Sequence, residues 1–358
     1  MNQLIKKKIM RILEINTEKT WRGGERQTWY NIKGFRDASQ QVELLCLEGF
    51  PLQEKTKELS IPIHTISSKL KTFFFLAGKG SSYDIIHVQT ANAQFHAWLS
   101  KPFHRRKIVY TRRVDFVPKG FFTKLKYRRT DKLIAISTPI RIILEKNGVK
   151  NIDLITEIVE AKTLNVERAK SFIAENGFAG KKILATTSAI VQHKDPLTMA
   201  EAIYELSKKR TDFVFLHFGD GILKPELETK IGELGIGQFY KLPGFIDKVE
   251  DFFSVFDVFV MSSEEEGLGS SVLDAFMYKV PVVSTNAGGL KEIIGEAGLV
   301  SEVKNAKALA ENMNRILSDP ELKKNLTAKA YEITFSRNSI SKVTEEYLAV
   351  FRKMLAGA

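Results

Sequence analysis

Ser262-Ser263-Glu264-Glu265-Glu266-Gly267-Leu268-Gly269-Ser270-Ser271-Val272-Leu273-Asp274-Ala275-Phe276-Met277 follows directly on the apolar run Val258–Met261. A short β-branched run, a turn holding two glycines and then apolar residues at helical spacing read as strand, turn and helix. Such a turn aims backbone N–H groups from a helix N-terminus at whatever lies above it, and an anion such as a diphosphate suits that place. Glu266 falls on the turn and Asp274 inside the following helix. A carboxylate on each side can accept hydrogen bonds from hydroxyls next to the anion. The plainer alternative is a helix start whose acids merely favour the helix dipole.

The pattern repeats on both sides. Pro281-Val282-Val283-Ser284-Thr285-Asn286-Ala287-Gly288-Gly289-Leu290-Lys291-Glu292-Ile293 is again a strand, a Gly-Gly turn and a helix start with a carboxylate just inside it. Upstream, His217-Phe218-Gly219-Asp220-Gly221 closes another strand with glycines. Several strands ending this way at one sheet edge place a ligand where α/β sheets bind them. Strand patterns at 181–187, 213–217, 239–242, 258–261 and 280–284 alternate with helical stretches at 197–208, 223–234, 249–253 and 272–278. The first half alternates in the same way, with strands at 9–15, 42–47, 63–66, 85–88, 107–110 and 132–136. Its helices fall at 25–37, 91–101, 121–129 and 139–147, the last with Thr138 as cap before Pro139. This is an α/β chain with two parallel, doubly wound sheets. Its 358 residues exceed what one core usually organises. The boundaries expected are residues 1–165 for the first domain and 166–338 for the second, with the linker near 166–180. The helix at 339–354 would return to the first domain, whose share of the C-terminus is then 339–358.

The second half resembles the retaining glycosyltransferases of family 4, which have the two-lobed GT-B fold. Their pattern E-G-F-G-x-x-x-x-E, followed by P-V-V-x-T-x-x-G-G-x-x-E, is nearly reproduced. The resemblance implies two Rossmann-like domains facing across a cleft, with the donor, a nucleoside diphosphate sugar, held mainly by the second. It implies that Glu266 holds the donor sugar, that Lys194 beside His193 neutralises the diphosphate, and that Asp274 meets the ribose. Gly219 and Asp220, Phe245 near the base, Gly267, Leu268, Gly269 and Ser270 in the first turn, and Gly288, Gly289 and Glu292 in the second complete the donor site. From the first half, Trp21-Arg22-Gly23-Gly24-Glu25 resembles the G-G-x-E loop that approaches the donor phosphate. Three departures stand out: Asp274 replaces a glutamate, Thr187-Ser188-Ala189 stands where an arginine-bearing G-R-L is usual, and Thr156-Glu157-Ile158-Val159-Glu160 replaces P-N-G-V-D.

Charge is placed unevenly. Residues 1–170 hold 32 Lys and Arg against 16 Asp and Glu, a net +16, whereas the remainder is net −4. The first half therefore suits an anionic partner: a glycan or glycolipid acceptor carrying phosphate, an anionic membrane surface, or, less in keeping with the absence of a helix-turn-helix or RNP signature, nucleic acid. Arg112 and Arg113 after the strand at 107–110, and His96 in the helix before it, are candidates for phosphate or acceptor binding. The mixed aromatic and basic stretches 69–75 and 119–129 suit a membrane surface. One cysteine, Cys46, cannot form an internal disulfide. With no signal-peptide pattern and no spanning run, a cytoplasmic protein is expected, peripheral at most on the inner face of the cell membrane. H-E-x-x-H, C-x-x-C and D-x-D are all absent, so neither metal nor cofactor is expected. An epimerase of the same fold acting on a nucleotide sugar is the alternative within enzymes; a nucleic-acid-binding protein is the alternative outside them.

Overall fold

The computed structural model describes residues 9–118 and 120–357, and for Phe121 the backbone alone. Residues 1–8, which enter the charge count above, and Lys119 of the stretch 119–129 lie outside these residues. The chain forms two compact units. The first runs up to Ile158 and takes the chain again from Asn338; the second is Val159–Arg337.

The first unit is a seven-stranded parallel sheet in the order β3-β2-β1-β4-β5-β6-β7. Its strands are β1 (Arg11–Asn16), β2 (Gln41–Leu47), β3 (Ile63–Ile66), β4 (Ile85–Val88), β5 (Lys107–Arg112), β6 (Lys132–Ala135) and β7 (Ile152–Leu154). Between them run α1 (Gly23–Asp37), α2 (Pro51–Thr56), α3 (Lys71–Lys79), α4 (Ala91–His104), α5 (Phe121–Arg129) and α6 (Thr138–Lys146). Strands β4 and β6 are buried along their whole length, which explains why Ile85-Ile86 and Leu133-Ile134-Ala135 are apolar in succession rather than in alternation. Ser137, not Thr138, occupies the cap position of α6, and Pro139 sits in its first turn, where a missing N–H costs nothing. Cys46 is buried, and burial pushes its thiol up to about 12.

The second unit opens with α7 (Val166–Glu175), so the stretch expected to be an unpatterned linker is largely helix. Its six-stranded parallel sheet has the order β10-β9-β8-β11-β12-β13. The elements are β8 (Lys182–Thr186), α8 (Pro196–Ser207), β9 (Phe213–Phe218), α9 (Lys224–Glu233), β10 (Tyr240–Gly244), β11 (Val258–Met261), α10 (Ser270–Met277), β12 (Val282–Thr285), α11 (Leu290–Ile294), β13 (Leu299–Ser301), α12 (Ala306–Ser318) and α13 (Pro320–Asn338). The stretch Val249–Val255 is a 3₁₀ segment rather than an α-helix, burying Phe252 and Phe253.

The chain ends in α14 (Ile340–Ala356), which belongs to the first unit. Tyr347, Leu348 and Phe351 are buried in its core beside Phe35 of α1. Each such side chain contributes roughly 2 kcal/mol of burial, so this helix is an integral part of that core. Asn338 donates to Thr156 Oγ1 at 3.0 Å and to the carbonyl of Glu157 at 2.7 Å. Gln27 of α1 bonds both the N–H and the carbonyl of Ile158. The segment that departs from P-N-G-V-D is thus a hydrogen-bonded junction where the chain leaves and re-enters the first unit.

Candidate functional site

In the second sheet the chain winds outward from β8 through β9 to β10, then returns to the other side of β8 and continues through β11, β12 and β13. The switch point is between β8 and β11, and α/β sheets bind ligands beyond the strand ends at such a point. The loops after these two strands are joined there. The backbone N–H groups of Glu264 and Glu265 both donate to the carbonyl of His193, at 2.9 and 3.3 Å. Ser262 Oγ donates to the carbonyls of Lys194 and Asp195 at 2.9 and 2.8 Å. Across this seam Lys194 Nζ pairs with Glu266 Oε2, both side chains being less than a fifth exposed. The two residues singled out by the E-G-x-G pattern and by the resemblance are therefore in direct contact.

The turn after β12 packs onto the turn after β11. Thr285 Oγ1 donates to the carbonyl of Ser263 at 2.6 Å, and the N–H of Gly289 donates to the carbonyl of Glu266 at 2.8 Å. Gly288 has φ +49°, and a Cβ there would lie 2.0 Å from the Glu266 carbonyl oxygen. No other residue fits that contact, which explains the Gly-Gly pair without any ligand. Gly269, also at positive φ, precedes α10; Leu268 is buried, Gly267 and Ser270 are half-buried, and Asp274 lies half-buried within α10. Glu292 is exposed on α11.

On the other side of β8, a Cβ at Gly219 would lie 2.0 Å from the carbonyl oxygen of Ser188. That carbonyl also meets His217 Nε2 at 3.1 Å, and His217 Nδ1 lies 2.7 Å from the hydroxyl of Tyr240. A carbonyl can only accept, so Nε2 carries the proton and Nδ1 accepts from Tyr240. Burial holds the imidazole neutral, lowering its pKa to about 4. His217 and Gly219 thereby fix Thr187-Ser188-Ala189, the loop that replaces the arginine-bearing motif. Asp220 bonds the N–H of Gly221, while Phe245 is 79% exposed and makes no enclosed base pocket within this unit.

The linkage has a measurable sign. An unfolded histidine takes a proton near pH 6.5 and this one only near 4, so the unfolded state binds more protons between those values. Stability is expected to rise with pH across that window and to fall on acidification, by up to about 3 kcal/mol for this group. Thermal unfolding against pH checks it: His217→Gln is expected to be less stable near neutrality but to have a flatter profile between about pH 4 and 6.5. An unchanged slope would assign the acid sensitivity to other groups.

The first-unit candidates are placed differently. Gly23 and Gly24 begin α1, where Glu25 accepts from the N–H of Arg22 at 2.8 Å and caps its own helix. A Cβ at Gly24 would meet nothing within 4 Å, so within this unit no close contact demands the glycine. Arg112 ends β5 and Arg113 is the first residue beyond it, and the two side chains go to different partners rather than acting as a doublet. Arg112 is 1% exposed; its guanidinium donates to the carbonyls of Val114 and Phe116 and to Tyr127 Oη, holding the loop after β5. Arg113 pairs with Glu157 at 3.3 Å and donates to Gln89 Oε1. His96 points into the protein from α4, its pKa lowered by burial. His87 is enclosed between Glu14 Oε1 at 2.5 Å and Thr111 Oγ1 at 2.8 Å. Lys126, counted above towards a membrane patch, is buried and donates to the carbonyl of Ala91 at 3.0 Å.

The hydroxyl groups of Ser262, Ser263, Ser188 and Thr285 escaped the sequence reading. His217 was the one legible hint, a polar side chain in an apolar strand that must find partners. Among the described residues no group of three or more His, Cys, Asp or Glu side chains could hold a metal ion, and no helix is long and apolar enough to cross a membrane.

This architecture is the α/β two-domain GT-B fold. A solved Anabaena protein, HepE, in complex with UDP and glucose, superposes with a TM-score of 0.84 at 18% identity, covering 96% of this chain and 99% of that one. Residues 168–333 match the family model described as glycosyl transferases group 1. Among curated relatives, the lipopolysaccharide core biosynthesis glycosyltransferase LpsE of Rhizobium meliloti is 27% identical over 232 residues, 63% of this chain and 66% of that protein. A Campylobacter jejuni α-1,4-N-acetyl-D-galactosaminyltransferase, named for a diphosphoundecaprenol-linked glycan, is 23% identical over 334 residues, 90% of this chain and 88% of that protein. The first three curated relatives are matched over 66%, 51% and 42% of their own lengths.

Proposed function

We propose that this chain is a glycosyltransferase of family 4, moving a sugar from a nucleoside diphosphate donor to a lipid-linked or cell-surface glycan with retention of anomeric configuration. The observation that carries the reading is the contact of Lys194 with Glu266 over the β8/β11 switch point. The relatives' names support the substrate class, and the first unit's net charge suits a phosphorylated acceptor. On this reading the enzyme works in the cytoplasm, at the inner face of the cell membrane.

In the proposed reaction the donor diphosphate enters above the turns and draws Lys194 away from Glu266. Lys194 then balances the charge that grows on the leaving diphosphate, and Glu266 is released to a hydroxyl of the donor sugar. The sugar–phosphate bond breaks and the acceptor oxygen bonds to the same carbon from the same face. The acceptor's proton passes to the departing phosphate oxygen. This is electrostatic stabilisation by a group held in place before the reaction begins, and the lysine does the work that a divalent cation does elsewhere. Asp274 holds the ribose.

Thermal-shift screening against UDP-, GDP- and ADP-sugars tests the donor, because a ligand bound only by the folded state raises the melting temperature. One nucleotide class is expected to stabilise the protein, and Lys194→Ala to abolish that shift. Turnover is expected to persist in excess chelator. Silence across all donors, or strict dependence of the chemical step on Mg²⁺ or Mn²⁺, contradicts this reading.

A further inference from the structure

Helix α4 is built inside out. Its buried positions are Ala93, Gln94, His96, Ala97, Ser100 and His104, all small or polar. Its outward positions carry Phe95, Leu99 and Phe103, which are 36%, 44% and 62% exposed. These three lie four residues apart, so they form one stripe along the helix. An ordinary surface helix has the reverse arrangement.

The neighbouring helix continues the stripe. Phe73 of α3 meets Phe103 edge-on at 5.8 Å and Phe74 at 5.3 Å. Phe74 itself is 63% exposed, and Leu70, just before the helix, 59%. The outer face of α3 and α4 is thus a contiguous apolar ridge of protruding aromatic and aliphatic side chains. Patches of this kind on a soluble fold mark an interaction surface.

Charge identifies the partner. From Lys69 to Lys107 the chain has seven basic residues and one acidic residue, Asp84. That aspartate is turned to the sheet, accepting from the N–H of Arg11. Beside the ridge a groove of about 630 Å³ is lined by Trp98, Leu99, Lys101, Pro102, Arg105 and Arg129. Arg105 and Arg129 are exposed at its rim, while Lys101 is held by Asp131 at 2.6 Å. Apolar side chains flanked by exposed guanidinium groups match the boundary between acyl chains and anionic headgroups.

We propose that the α3–α4 face is the surface by which the protein docks on an anionic lipid bilayer, with Phe74, Leu99 and Phe103 entering the acyl boundary and Arg105 and Arg129 meeting lipid phosphates. This deepens the membrane part of the function proposed above and is independent of its chemistry, since vesicle binding needs neither donor nor acceptor. Of the basic stretch 119–129 it keeps Arg129 alone at this face, because Lys126 is buried and Arg128 lies against Gly148.

The test uses the full chain and vesicles of phosphatidylcholine with or without phosphatidylglycerol. Co-sedimentation with the anionic vesicles is expected, falling steeply as salt rises past about 0.1 M, where the Debye length is about 10 Å. Phe74→Ser with Phe103→Ser, and separately Arg105→Glu with Arg129→Glu, are each expected to weaken binding about tenfold or more. The same charge reversal at Lys342 and Lys353 of α14 should leave it nearly unchanged. Trp98 fluorescence should shift to the blue on anionic vesicles and not in Trp98→Phe. All four target side chains are exposed, and circular dichroism confirms that the variants fold. Equal pelleting on neutral vesicles, equal loss in the α14 variant, or undiminished binding in either face variant overturns the proposal. So does a protein that ignores vesicles and is instead a dimer dissociated by Phe103→Ser, which would give this face to a second copy of the chain.

Discussion

Lys194→Ala is expected to lower turnover by about 100- to 1,000-fold while the protein keeps its fold. The magnitude follows from the proposed role, in which Lys194 is one preorganised partner of a charge that grows in the transition state. Lys194 ends the short 3₁₀ segment after β8, and its backbone is held independently of its side chain. Its carbonyl accepts from Ser262 Oγ, and its N–H donates to the carbonyl of Val191. Truncation therefore removes the charge and leaves the loop in place. The lost pair with Glu266 is partly open to solvent, and such pairs contribute about 1 kcal/mol or less. Steady-state kinetics with a donor found by thermal shift, alongside the melting temperature of the apo variant, separate the two effects. A variant with normal turnover would remove Lys194 from the reaction. One that loses turnover only in proportion to a large drop in melting temperature would make the residue structural.

What could be read beforehand, and what could not, divides along physical lines. The central strands were legible because burial on both faces demands unbroken apolar runs, as in Val258–Met261. The edge strands β7 and β13 were not. Each is three residues long and only partly buried, so it has little hydrophobic pattern to show. The turns at Glu266–Gly269 and Gly288–Gly289 were legible as ligand-facing elements, yet the close packing of one upon the other is a tertiary fact. It gives these glycines a structural duty as well as any functional one. Arg112 and Arg113 show the limit most clearly. They adjoin in sequence at the end of β5, but only the structure tells that Arg112 is the one consumed by the loop carbonyls of Val114 and Phe116 while Arg113 pairs with Glu157. Likewise, the helical pattern of α4 says nothing about which side is covered; the covered side is the one of small and polar residues.

Glu266→Gln is expected to reduce turnover more than Asp274→Glu does, and by a margin of at least about tenfold. In the resting protein Glu266 is held by Lys194 and lies 3.4 Å from Ser263 Oγ. The amide side chain would keep the size and one acceptor of Glu266 but lose its charge. It could then neither pair with Lys194 nor hold a sugar hydroxyl as strongly when positive charge develops at the reacting carbon. The loss should therefore fall on kcat rather than on KM. Asp274 lies about one turn into helix α10, beyond the turn amides. On the proposed assignment, lengthening it by one methylene alters reach towards a remote part of the donor, whose contact is made equally before and during the reaction, so KM should carry that change. The two variants thus predict opposite splits between kcat and KM, which a general loss of stability would not produce. If Asp274→Glu proved the more damaging and acted on kcat, the shorter acid would belong to the reacting centre, and the assignment of sugar to Glu266 and ribose to Asp274 would have to be exchanged.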